Sequence, residues 1–137
     1  MTVKELSCYH DLSRYIRTLE SELAYLRSKA YGVPSAFDGT AVGGHGGCPS
    51  DRTGRYAVAI ADKECELRRV KAECESERER IYAYITGEVA ARDRLTASMM
   101  YWRFIQRLSW DEVAVRVHST CGGTCRKAVC RYLDRFG

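Results

Sequence analysis

Nowhere in its 137 residues does this chain hold an apolar run approaching the roughly 20 residues that span a bilayer. A membrane is therefore not expected among its partners. The opening segment, Met1-Thr2-Val3-Lys4-Glu5-Leu6, lacks the apolar core of a secretory signal, which points to the cytoplasm. Histidine is scarce, and His10, His45 and His118 fall in unrelated segments. There is no His-Glu-x-x-His, no glycine-rich phosphate loop following a strand, and no nucleophile beside a base. An enzyme is not expected, and neither is a cofactor.

Cysteine is present but in the wrong number for a disulfide scaffold. Cys8, Cys48, Cys65, Cys74, Cys121, Cys125 and Cys130 make an odd, scattered set of seven. Several fall on apolar faces of predicted helices, where a reduced thiol acts as a small hydrophobe. His118, Cys121, Cys125 and Cys130 are candidate zinc ligands by proximity. A zinc site more often shows a tight Cys-x2-Cys pair on a turn, so no metal site is expected. His45 and Cys48 supply too few ligands for one elsewhere.

What the chain does have is charge, unevenly spread. Residues 91–137 carry nine Lys/Arg against four Asp/Glu, a net of +5. Residues 1–90 carry 13 against 14, a net of −1. A basic excess confined to one end suits a polyanionic partner.

Hydrophobic periodicity places the elements. Leu12, Ile16, Leu19, Leu23, Leu26 and Ala30 recur at alternating spacings of four and three, the seam of a coiled-coil-like helix over Val3–Ala30. The two prolines, Pro34 and Pro49, fall between Tyr31 and Arg55 with most of the glycines, and this predicts a flexible loop. A second helix is predicted over Tyr56–Ile85. There Ile60, Leu67, Cys74 and Ile81 repeat every seven residues, and Lys63 and Glu77 intrude on the adjacent seam position. Thr86-Gly87 should end it. Two such helices fold back most simply as an antiparallel hairpin, whose seams favour a homodimer. A third helix, Val89–Arg107, would bury Leu95, Met99, Trp102, Ile105 and Leu108.

Ser109-Trp110-Asp111-Glu112 reads as a capping box opening a short helix with Trp110, Val113, Ala114 and Val117 inward. His118-Ser119 forms a turn, and Thr120 or Ser119 caps a last helix. On that helix Cys121, Cys125, Ala128, Val129 and Tyr132 face inward. Gly123, Thr124, Arg126, Lys127, Cys130 and Arg131 face outward. Gly122 and Gly123 weaken its first turn and remove bulk. A helix pair of this form is a helix-turn-helix, whose second helix enters the DNA major groove. Arg126, Lys127 and Arg131 can then reach phosphates or guanine edges, with Thr124 beside them and Arg116 and Arg135 as flanking phosphate contacts.

Arg103, Phe104, Ile105, Leu108, Ser109, Trp110, Val113, Ala114, Arg126, Lys127, Ala128 and Leu133 together resemble a phage and prophage family. Its members join a long helical arm to a C-terminal helix-turn-helix like region 4 of a sigma factor, and ArpU/RinA-type late-gene regulators belong to it. The chain departs from that pattern at His118, where relatives carry a glycine-containing turn, and at Cys121 to Gly123. The resemblance implies sequence-specific binding of double-stranded DNA in a bacterial host cell, with host RNA polymerase as a further candidate partner. The fold expected is all-α: a long antiparallel helical hairpin over residues 1–86, with the loop at 31–55, then a three-helix helix-turn-helix domain over 87–137. The alternatives are a packaging adaptor like a small terminase subunit, or a helical module binding host protein without DNA.

Overall fold

The computed structural model describes residues 1–31 and 52–137. The described residues are 89% helical and contain no strand. Helix α1 spans Val3–Tyr31 and α2 spans Arg52–Tyr84. A π-helical turn, Ile85–Val89, runs into α3 (Ala90–Arg92). Then come α4 (Arg94–Met100), a second π-helical turn (Tyr101–Ile105), α5 (Trp110–Arg116) and α6 (Gly122–Phe136).

Helix α1 starts on a capping box that periodicity alone does not reveal. The Thr2 hydroxyl accepts from the Glu5 N–H at 3.3 Å, and the Glu5 carboxylate accepts from the Thr2 N–H at 2.6 Å. The loop expected over 31–55 is corrected at both its ends. Tyr31 and residues 52–55 are helical, and the remainder, with His45 and Cys48, lies outside the described residues. Gly54 is absorbed because one interior glycine costs only about 1 kcal/mol, which a helix of 33 residues can carry.

The chain divides into two compact units, one of Met1–Arg14 with Lys71–Gly137, the other of Tyr15–Val70. In the smaller unit Leu19, Leu23 and Val70 are buried. Lys63, the polar intrusion on the seam, is held by Glu22 at 2.9 Å and Glu66 at 3.4 Å. The Glu22 carboxylate bonded to its ammonium pushes that group's pKa up. Arg27 pairs with Glu64 at 2.6 Å, and the Tyr15 hydroxyl donates to Glu66.

The larger unit has a continuous apolar interior. Leu6 and Tyr9 of α1 are buried, as are Cys74 and Ile81 of α2. Ile85 and Val89 of the first π-turn are buried too, as are Met99 and Met100 of α4 and Phe104 and Ile105 of the second turn. Val113 and Ala114 of α5, with Cys125, Val129, Tyr132 and Leu133 of α6, complete it.

Three expectations are corrected here. Thr86-Gly87 does not end the helix: Ala90 donates back to the Ile85 carbonyl, and the chain stays helical to Arg92. The wider π-turn carries Ile81, Ile85 and Val89 to the core four residues apart. The true break is Asp93, extended at φ −147° and ψ 100°, whose carboxylate accepts from the Leu95 and Thr96 N–H groups and the Thr96 hydroxyl. The single helix predicted over Val89–Arg107 is thus divided into pieces. Its stripe moves accordingly: Leu95 is 55% exposed, while Thr96, Ala97, Met100 and Phe104 are buried. The break and the π-turn each reset the helical phase, so one stripe cannot run through both.

Candidate nucleic-acid interface

The second π-turn orients the chain leading into α5. Gln106 donates to the Tyr101 carbonyl at 3.1 Å, and Leu108 donates to the Trp102 carbonyl at 3.1 Å. Between them Arg107 takes φ 60°, an uncommon left-handed position for a residue with a side chain. Arg103 fastens this corner at both its ends. Its carbonyl accepts from His10 Nε2 of α1 at 3.2 Å, and its Nη1 donates to the Leu108 carbonyl at 2.7 Å. Its guanidinium also lies 5.2 Å from the centre of the Trp110 ring. Burial, joined by the charges of Arg103 and Arg107, pulls the His10 pKa below its ordinary value.

Helix α5 starts on the capping box read from the sequence. The Ser109 hydroxyl accepts from the Glu112 N–H at 3.3 Å, and the Glu112 carboxylate accepts from the Ser109 N–H at 2.7 Å. Val113 and Ala114 are buried, with Trp110 and Val117 half-buried beside them. The helix ends in a Schellman-type turn. Ser119 donates to the Ala114 carbonyl at 2.8 Å and His118 to the Val115 carbonyl at 3.4 Å. His118 occupies the left-handed position at φ 54°, where glycine is the usual occupant.

Helix α6 begins one residue later than expected. Its N-cap is Cys121, not Thr120 or Ser119, at φ −160° and ψ 157°. The side chain of Cys121 is exposed, not inward, because an N-cap residue lies off the helical register that buries Cys125 and Val129. Its Sγ sits 3.2 Å from the Thr124 hydroxyl. That hydroxyl, then the N–H groups of Thr124 and Gly123, pull the Cys121 thiol below its ordinary pKa. Gly122 is buried against α5. A Cβ there would lie 2.5 Å from Asp111 Oδ1 and 2.6 Å from the main-chain carbon of Trp110.

The outward residues fall largely where the spacing predicts. Arg116, Gly123, Thr124, Arg126, Lys127, Arg131 and Arg135 are exposed. Cys130 departs from the expectation: it is half-buried, on the flank of α6 that turns toward the start of α1. Ala128, expected inward, is also half-buried. The guanidinium of Arg116 lies 4.8 Å from the Trp102 ring centre, so an aromatic face steadies it without cancelling its charge. Arg92 and Arg135 both lie 5.1 Å from the Phe136 ring centre.

The electrostatics differ sharply along the chain. On α1 and α2, Arg27, Lys63, Arg78 and Arg80 each bond a carboxylate. Among the described residues, none of the nine cations from Arg92 to Arg135 forms an ion pair. Two of the four nearby acids are occupied by main-chain donors. Thr96 holds the Asp93 carboxyl below the usual carboxylate range, and Ser109 does the same for Glu112. The candidate metal array stays apart: Cys121 is exposed, Cys125 buried and Cys130 half-buried, and no group of three His, Cys, Asp or Glu converges among the described residues.

Sequence reasoning missed the roles of His10, Arg103 and Gly122. The two glycines at 122 and 123 are a visible signal, but one that reads as lost bulk and not as contact. Nothing in the sequence ties His10 to Arg103, 93 residues away.

The chain matches no protein-family model, and comparison with curated proteins and with solved structures finds no match. Among the described residues, no helix is long and apolar enough to cross a membrane.

Proposed function

We propose that this chain is a sequence-specific double-stranded-DNA-binding regulator of phage or prophage transcription, acting in the host cytoplasm. In this reading α5, the turn at His118 and α6 form the helix-turn-helix, and α6 enters the major groove. The observation that carries it is the set of exposed cations that form no ion pair among the described residues: Arg116, Arg126, Lys127, Arg131 and Arg135. A basic face on which none of the four acids pairs with a cation among the described residues leaves its charge for a polyanion. Lys127 and Arg131 stand one turn apart, and Gly123 keeps the leading turn slim.

We further infer an antiparallel α1–α2 hairpin serving as a homodimer arm. Within the larger unit Glu5 approaches Arg80 and Ser13 approaches Cys74; within the smaller, Tyr15 bonds Glu66 and Glu22 bonds Lys63. From Glu5–Arg80 to Ser13–Cys74, and from Tyr15–Glu66 to Arg27–Glu64, the α2 number falls as the α1 number rises, with Glu22–Lys63 one residue off that order, which supports opposed directions. A symmetric dimer would offer two α6 helices to half-sites about one DNA turn apart.

Selection from a random duplex pool, followed by anisotropy titration at several salt concentrations, tests this. Enrichment of one sequence is expected, with log K falling by roughly 0.9 per neutralised phosphate for each unit of log salt. Paired reversal, Arg126→Glu with Lys127→Glu, should abolish binding. Failure to enrich any duplex, or equal affinity of the reversed variant, overturns the reading. Light scattering separates a dimer from the many-subunit ring a packaging adaptor would form.

A further inference from the structure

The residues that flank α6 on its half-buried side enclose a crevice of about 360 Å³. Val3 and Ser7 of α1 form one wall, and Val129 and Cys130 of α6 form the other. Phe104 and Trp110 also line it and meet edge to face, with ring centres 6.3 Å apart. Arg103 and Arg126 both line it, and neither has a carboxylate partner among the described residues. The volume lies within the range of small-molecule sites, and an apolar lining with a few convergent polar groups is their usual composition.

We propose that this crevice binds a small planar carboxylate, an aromatic acid in chemical class. Two guanidiniums at one site favour an anion, and Arg presents its donors in a fork matched to a carboxylate. The aromatic edges and the two valines favour a hydrocarbon body over a bare inorganic ion. Arg103 is already oriented for such a ligand. One of its amino groups is spent on the Leu108 carbonyl, its guanidinium rests by Trp110, and its remaining donors bond no other group among the described residues. Arg126 is the exposed partner, without an ion pair among the described residues. A bound acid would draw Arg126 toward α1 and away from a duplex. That consequence rests on the DNA-binding reading; the site itself stands on the crevice alone.

The probe is sodium benzoate, titrated into the ¹⁵N-labelled full chain. Saturable shifts of the Trp110 indole and Arg126 amide signals are expected at millimolar ligand. The neutral isostere benzamide should leave them unmoved, and acetate should bind at least about tenfold more weakly, for want of a ring. Val3→Trp fills the mouth and should abolish the shifts. Ser7→Leu, a milder obstruction on the same wall, should weaken them if Val3→Trp does not fold. No shift with benzoate, equal shifts with benzamide, or shifts that survive the crevice-filling variants overturn the site. A second titration uses the selected duplex. If benzoate binds and weakens duplex affinity in wild type but not in Val3→Trp, both readings stand. If benzoate binds a chain that binds no duplex, the DNA reading falls and the crevice remains.

Discussion

Gly122 and Asp111 stand so close that a methyl group on Gly122 would meet the Asp111 carboxylate at 2.5 Å. The main chain of Trp110 and Asp111, at 2.6 and 2.8 Å, cannot swing aside as that side chain could. The glycine is thus required by the contact of α5 with α6.

Gly122→Ala should therefore destabilise the larger unit by about 1–3 kcal/mol, the usual cost of overpacking. Thermal unfolding by circular dichroism measures it. Unchanged stability would mean that the two helices separate without cost. Gly123→Ala serves as the contrast, since its nearest neighbour is the Cys121 sulfur at 3.8 Å. That change should be neutral or stabilising by up to about 1 kcal/mol.

His118 invites the opposite change. Its left-handed backbone costs an L-residue roughly 1 kcal/mol that glycine avoids. His118→Gly should raise the midpoint of unfolding, because the Schellman hydrogen bonds of Ser119 and His118 are main-chain and survive the substitution. A lower midpoint would assign the imidazole a stabilising contact.

Acid should loosen the molecule through its caps. The folded pKa values of Asp93 and Glu112 lie below their ordinary values of 3.8 and 4.5, because both carboxylates accept hydrogen bonds. Such groups contribute stability that is present above those ordinary values and is lost as pH falls through the folded ones. Asp93→Asn keeps a capping oxygen but cannot titrate. Its denaturant stability should match wild type more closely at low pH than at neutral pH. A constant difference across pH 2–6 (about the whole window in which the carboxyl titrates) would remove Asp93 from the acid response.

Cysteine chemistry should be selective. Cys121 is exposed with its thiol pulled down, first by the Thr124 hydroxyl, whereas burial pushes the Cys8 thiol up. Cys74 and Cys125 are buried. Among the described cysteines, Cys121 should be alkylated first by iodoacetamide at neutral pH, since the thiolate is the nucleophile. Peptide mass mapping reads the order. Thr124→Val should slow the Cys121 reaction by moving the thiol toward its ordinary pKa, with the main-chain N–H groups of Thr124 and Gly123 still holding it down.

Periodicity carried the long elements well. The Leu19–Leu23 and Cys74–Ile81 spacings identified positions that are buried, and Ser109-x-x-Glu112 identified a cap that is present. Local patterns failed where a tertiary contact decides. Leu95 looked like core by spacing, but the Asp93 break turned it out to 55% exposure. Gly87 looked like a terminator, yet nothing approaches its missing side chain and the helix passes through. The exposed cations of α6 were legible because they obey one uninterrupted helical phase. The Arg103 corner was not, because its partners lie on α1, the turn and α5.

The two π-helical turns have a consequence for changes in chain length. Each holds one residue more than a regular helix would use, and each sits where a face must be re-aimed. Losing a single codon in either place would convert the wide turn into an ordinary helical one and leave the bearing of the following residues nearly unchanged. Each wide turn is thus a slack link, able to take up a one-residue insertion or deletion without swinging the basic terminus round.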